Sequence, residues 1–226
     1  MEGSGPKHIS FFDLDHTLLN DNCSFRFGKF LYQQKLLSLK STLSLLLIYF
    51  FHKLGFLSIY QVHEKSFKIL FSGKSKKHYA KLAESFVSLE FEHLINSEIC
   101  SLMRNLQSSG HHTVILSSSP TFLVEEFAKL MYVNDVFGTN YQTCERGKLY
   151  SGIELVLEAD EKAIKVKTFA QKLSVPLSST YGYSDSHLDI PFLQAVGHPC
   201  AVNPTKKLRK YSIDQNWNII DTSSNF

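Results

Sequence analysis

A chain of 226 residues, 43% hydrophobic and 20% charged, is long enough to bury a core without disulfides and lacks the low-hydrophobicity, high-charge composition of a disordered chain. A net charge of +3 with a single basic run, Lys206, Lys207, Arg209 and Lys210, leaves no electrostatic footprint for nucleic acid, and the run reads as a solvated helix face. The four cysteines, Cys23, Cys100, Cys144 and Cys200, form no C-x-x-C pair, which argues against zinc. With no basic and apolar leader at the N-terminus, a reducing, cytoplasmic setting is expected.

In chain order, residues 8–12 are short, apolar and β-prone and run into the polar Asp13, the pattern of a buried strand ending in a functional loop. Residues 22–95 show only helical patterns, punctuated at Gly55 and Ser72-Gly73, and are expected to form an inserted helical cap. That leaves residues 1–21 and 96–226 as the core. Inside the cap, the apolar run 43–51 is bounded by Lys40, His52, Lys53 and Gly55, well short of the roughly 20 apolar residues of a membrane span. A buried helix is the favoured reading, and a peripheral membrane contact through the apolar stretch 36–60 is the lesser one.

Ile99, Leu102, Met103 and Leu106 then mark a helix face, with Gly110 as its stop. A strand at 113–116 ends in Ser117-Ser118-Ser119-Pro120, where Ser119 is expected to cap a helix that begins at Pro120 and buries Leu123, Phe127 and Leu130. Residues 162–173 form a further helix with Ile164, Phe169 and Leu173 inward. Strands follow at 180–183, ending in Ser184-Asp185, and at 199–202. This alternation predicts an α/β protein: a Rossmann-like parallel sheet with helices on both faces and a ligand site at the carboxyl ends of the strands.

Asp13 and Asp15, two apart at a strand end, can offer one carboxylate and one backbone carbonyl to a common cation, and Mg2+ favours such hard oxygen ligands. The Asp-x-Asp spacing alone is more often a solvated turn, and a calcium loop fits less well, because Leu18 stands where its glycine should and Ser24 where its bidentate glutamate should. The longer pattern of apolar strand, Asp13-Leu14-Asp15-His16-Thr17 and two leucines resembles the first motif of the haloacid dehalogenase superfamily. Its other motifs recur in order: a strand ending in Ser117; a helix lysine, Lys162, placed 23 positions before Asp185 (185 − 162), with Lys165 one turn on as fallback; and Asp185-Ser186-His187-Leu188-Asp189. The match is to the phosphoserine-phosphatase-like branch, subfamily IB, with a cap of the C1 type.

The resemblance implies a Mg2+-dependent phosphatase acting on a small phosphorylated substrate. Asp13 would be the covalent nucleophile and Asp15 the general acid and base. Thr17, Ser117, Ser118 and Lys162 would bind phosphate, and Asp13, Asp15, Asp185 and Asp189 would hold the metal. It departs from phosphoserine phosphatases proper at Asn22, where those enzymes place an acidic residue for the substrate ammonium, and at Ser118, Ser184 and Leu188. Phosphoserine, a lipid phosphate and transfer to an acceptor other than water remain alternatives, as does a non-catalytic phosphate- or metal-binding module. A receiver-type domain is disfavoured by the adjacent Asp13 and Asp15, and a dehalogenase by the presence of Asp15.

Overall fold

In the computed structural model, which describes residues 5–144 and 149–222, the strand β1 (His8–Phe12) lies at the centre of a seven-stranded sheet. Its flanks are β2 (His111–Pro120) and β5 (Thr180–Ser184), both parallel to it. Beyond β2 come β3 (Asp135–Thr143), parallel, and β4 (Tyr150–Leu155), antiparallel. Beyond β5 come β6 (His198–Val202) and β7 (Asn218–Ile220), both parallel. The order is therefore β4-β3-β2-β1-β5-β6-β7.

The central strands read as near-continuous apolar runs because both their faces are covered. Ile9 and Phe11 belong to a cluster with Val166, Phe169 and Phe192 on one face, while Phe12 joins a larger cluster on the other. The first face is covered by α7 (Ala159–Lys172) and α8 (Ile190–Gln194), and the second by α5 (Ser97–Ser108) and α6 (Thr121–Leu130). The sheet was thus expected at four strands; β3, β4 and β7 add to it. The basic run falls on α9 (Lys206–Asp214), where Leu208 is buried, Lys206, Lys207 and Lys210 are exposed and Arg209 pairs with Asp221.

Between β1 and α5 the chain makes four further helices: α1 (Cys23–Gln33), α2 (Leu39–Lys53), α3 (Ile59–Leu70) and α4 (Lys76–Leu94). Serines at positions 38, 58 and 75 cap the last three through side-chain oxygens that accept from the first turn, which is why each begins where it does. The chain leaves and returns side by side, since Leu19 pairs with Ile95, the Asn20 N–H donates to the Leu94 carbonyl at 2.7 Å and the Asn96 N–H to the Leu18 carbonyl at 2.8 Å. A second seam joins the insertion to the sheet, where Ser75 pairs with Leu149 and the backbones of Gly73 and Lys74 bond Tyr150. Phe27, Phe30 and Phe86 of the insertion continue the same cluster as Phe12, Phe122 and Phe127, so sheet and insertion share one core.

Three expectations fail. The run 43–51 does form a helix, α2, but no residue of it is buried: Leu43 is 51% exposed and Leu47 56%. The helix packs through one side onto α3 and α1 and leaves the rest of its surface bare. Leu130 and Ile164 also point outward, Leu130 at the last turn of α6 and Ile164 on the outer side of α7, because only one stripe of each helix meets the sheet. Ser119 does not cap α6: Pro120 is the cap residue, and the serine hydroxyl turns into the site described next.

Candidate active site

The carboxyl ends of β1, β2 and β5 converge, and their sequences end there in polar groups because the strands leave the sheet. The Asp13 N–H still donates to the Tyr183 carbonyl at 2.9 Å, so Asp13 is pinned at the sheet edge. The next residues fold into a tight turn closed by the Leu19 N–H on the Leu14 carbonyl at 2.9 Å, with His16 in the left-handed region at φ 60. This turn brings Thr17 back under Asp13, its hydroxyl 3.5 Å from Asp13 Oδ2.

Lys162, on the first turn of α7, is the pivot. Its Nζ donates to Asp13 Oδ1 at 2.6 Å and to Asp189 Oδ2 at 2.8 Å, and its side chain is only 2% exposed. Burial opposes its charge, but the two carboxylates outweigh that and hold the ammonium protonated. Lys165 lies elsewhere, over the Phe137 ring at 4.5 Å from its centroid, so of the two lysines only Lys162 enters the site. Asp189 is held a second time, by the Ser184 hydroxyl at 2.7 Å.

Burial pushes the Asp13 carboxyl well up, and Asp189 and Asp185 add to this against the pull of Lys162. Burial likewise raises Asp185 to about 6, with His16 opposing and Asp189 reinforcing. Asp13 and Asp189 thus share one buried cation, with Asp185 in electrostatic reach, so the site carries more carboxylates than its own lysine offsets. That excess fits a divalent cation.

Asp15 is fixed separately. Its Oδ1 accepts the Cys23 N–H at 2.7 Å, and its Oδ2 accepts from the Ser119 hydroxyl at 2.8 Å and from Asn22 Nδ2 at 3.2 Å. These donors hold the Asp15 carboxylate against the start of α1 and the end of β2. No three acidic, histidine or cysteine side chains converge as a ready metal cage among the described residues. The reason is visible in the partners: Asp15 is taken by α1 and Ser119, Asp189 by Lys162 and Ser184. Lys162 takes only one oxygen of Asp13; the other, Oδ2, is approached among the described residues only by the Thr17 hydroxyl at 3.5 Å. That oxygen and Asp185, with the backbone carbonyl of Asp15, are the groups left to meet a cation.

Ser117 is buried, and its oxygen accepts the Ser119 N–H at 3.1 Å, which leaves its own proton for the site. Ser118 diverges: its hydroxyl donates to the Leu157 carbonyl at 3.0 Å. Beyond them α6 starts without a side-chain cap or an acidic residue in its first turn, so its N-terminal N–H groups can meet an anion. The sequence marks Ser119 only as a helix cap, Ser184 only as a departure from phosphoserine phosphatases and Asn22 only as a substrate-facing position; none of the three is expected there to hold an aspartate of the site. A serine beside Asp185 at a strand end was a readable signal for Ser184; for Ser119 the Ser-Pro pair pointed to a cap instead. Gly138 was also silent, yet a Cβ there would lie 2.8 Å from the Ser119 carbonyl, so only glycine lets β3 pass this turn.

The family model for haloacid dehalogenase-like hydrolases matches residues 10–194. The chain belongs to that family. It is 27% identical over 218 residues to the inhibition of morphological differentiation protein of Streptomyces azureus, covering 96% of this chain and 79% of that one. It is 26% identical over 222 residues to a histidinol-phosphatase of Neisseria meningitidis serogroup C (strain 8013), covering 95% and 99%. It shares its fold with a solved phospho-aspartyl intermediate analogue of phosphoserine phosphatase at TM-score 0.67 and 16% identity, over 96% of this chain and 93% of that one. As a member of this hydrolase family with relatives named phosphatases, the chain is a phosphoric monoester hydrolase. No described helix is long and apolar enough to cross a membrane.

Proposed function

We propose that this chain hydrolyses a small phosphomonoester in two steps, with Asp13 as the nucleophile and Asp15 as the general acid and base. The observation that carries the reading is the pair of differently held carboxylates: Asp13 buried against Lys162, and Asp15 two residues on, held by α1 and Ser119. An Asp13 oxygen attacks phosphorus and the ester oxygen leaves with a proton from Asp15; Asp15 then takes a proton from the water that opens the aspartyl-phosphate. Ser119 suits this exchange. Its hydroxyl lies 2.8 Å from Asp15 and 2.7 Å from the Ser24 hydroxyl, so it can donate to the carboxylate or turn to Ser24 and accept from the acid.

Lys162, Ser117, Thr17 and the α6 N-terminus surround the place where phosphoryl charge would develop. Ser118 would take part only through its backbone. A Mg2+ ion would fit the excess of carboxylate and would be held by Asp13, Asp185 and the Asp15 backbone carbonyl, with Asp189 fixed beside it by Lys162 and Ser184. When bound, it supplies positive charge that draws the phosphoryl oxygens and offsets the nucleophile's own charge.

The helices of residues 22–95 serve as a cap over this edge, with His63 of α3 reaching the backbone of Ser118. Asn22 is spent on the Phe25 N–H and on Asp15, so it does not wait for a substrate ammonium. Phosphoserine is therefore not favoured over other small phosphomonoesters. Purified Asp13→Asn should lose at least about a thousandfold of p-nitrophenyl phosphate turnover in Mg2+. Retained turnover would sink the assignment of the nucleophile. A panel including phosphoserine, histidinol phosphate and phosphatidylglycerol phosphate then sorts the substrate.

A further inference from the structure

The insertion turns its apolar side outward. On α2, Leu39, Leu43, Leu46, Leu47 and Phe50, followed by Leu54, recur at helical spacing, and all are exposed. Phe56, in the turn to α3, is 72% exposed. The polar residues do not offset this, because Ser41, Thr42 and Ser44 are half-buried and the Thr42 and Ser44 hydroxyls donate to the carbonyls of Ser38 and Lys40. A helix apolar around its circumference belongs in a core or in lipid, and α2 is in no core.

Between α2 and α3 lies an open groove of about 620 Å³, lined by Leu47, Phe51, Phe56 and Ile69 together with Lys65 and Lys68. The charge is lopsided: the one acid of the hairpin, Glu64, is bonded to Lys68 at 2.9 Å, and the other lysines have no further acid on α2 or α3 to meet them. No Asp or Glu stands between Asp21 and Glu64, whereas Lys29, Lys35, Lys40 and Lys53 do, all of them exposed.

We infer that the α2–α3 hairpin lies in the interface of an anionic membrane, its apolar stripe among the acyl chains and its lysines at the headgroups. Fifteen residues of helix reach only about 22 Å, too short to span, so α2 lies along the surface. A second copy of this chain fits the face less well. Packed parallel, α2 sets Lys40 on Lys40; packed antiparallel, it sets Lys40 on Lys53; and neither arrangement brings an acidic residue of α2 to meet them. Anionic lipid answers both the bare apolar surface and the unmatched positive charge.

The test uses the full chain with vesicles of phosphatidylcholine and phosphatidylglycerol in equal parts, and with vesicles of phosphatidylcholine alone. The expected result is sedimentation with the anionic vesicles, at least about tenfold stronger than with the neutral ones and weakened by salt. Leu47→Glu combined with Phe50→Glu should reduce that binding about tenfold or more while p-nitrophenyl phosphate turnover without vesicles stays unchanged. Lys40→Glu with Lys53→Glu should reduce binding to the anionic vesicles alone. No sedimentation, equal sedimentation with both vesicles, or a homodimer in the ultracentrifuge that the double glutamate variant disperses would overturn the inference. Because vesicle binding is read without catalysis, this outcome is separate from that of Asp13→Asn.

Discussion

The carboxyl edge of the sheet and the outer face of α2 depart from the usual partition of residues in opposite directions. At the sheet edge, Asp13, Asp189 and Lys162 are buried, where charge is costly; on α2, leucines and phenylalanines meet water. The buried charges are tolerated because they are paired: Lys162 bonds two carboxylates, Ser184 steadies one of them, and what remains is an excess of negative charge suited to a cation. The bare apolar residues have no such internal answer. Both regions are read by asking what would complete them, and the answers differ in kind: a small charged ligand for one, an extended surface for the other.

Several substitutions break or sharpen that contrast. The largest effect is expected at Lys162→Met, which leaves Asp13 and Asp189 facing each other without a cation; turnover of p-nitrophenyl phosphate should fall about a thousandfold or more, and thermal unfolding should show a loss on the order of 3 kcal/mol. Phe86→Ala, in the part of the insertion that shares the core, removes a fully buried ring packed on Phe27, Phe30 and Phe127 and should cost about 3–5 kcal/mol by denaturant titration. Ser119→Ala should lower kcat roughly tenfold with little change in KM and shift the pH–rate profile, because Asp15 loses one donor while the fold does not depend on it; an unaltered profile would remove Ser119 from the reaction.

His63 gives a smaller effect with a definite sign. Burial, helped by His52, holds its pKa down at about 4 against an ordinary value of 6.5. Between those values the unfolded chain binds the proton and the folded one does not, so stability should fall as pH drops from 7 toward 5, by about 2 kcal/mol, and His63→Gln should flatten that slope. Smallest of all, Leu47→Ala on the bare face of α2 should move stability by no more than about 0.5 kcal/mol.

Much of the sheet was legible because buried parallel strands are written as short apolar runs that stop at a polar residue: residues 8–12 before Asp13, 113–116 before Ser117, 180–183 before Ser184. β3 was not, since Asp135-Val136-Phe137-Gly138-Thr139-Asn140 mixes polar and apolar residues without a period, and its place depends on Gly138 sliding past Ser119. β7, three residues long, carries too little pattern to read. Helix α2 shows the opposite failure: its hydrophobicity was clear, but hydrophobicity records a preference for leaving water and not which apolar phase receives it. Lys162 was legible through its spacing to Asp185, which the family resemblance supplies, whereas the anchors on Asp15 come from the start of α1 and the end of β2, remote in sequence and joined only by folding.

The side-by-side exit and return of the chain at Leu19–Asn20 and Ile95–Asn96 makes the insertion exchangeable in connectivity. A different helical module could be spliced between these two neighbouring points without disturbing the order of the strands. It would not be exchangeable in composition, because Phe122 and Phe127 of α6 look to the insertion for their cover. Any replacement would have to bring its own aromatic face to that helix and its own donors to Asp15. Such a graft would keep the residues of the sheet edge in place while replacing the surface that stands over them.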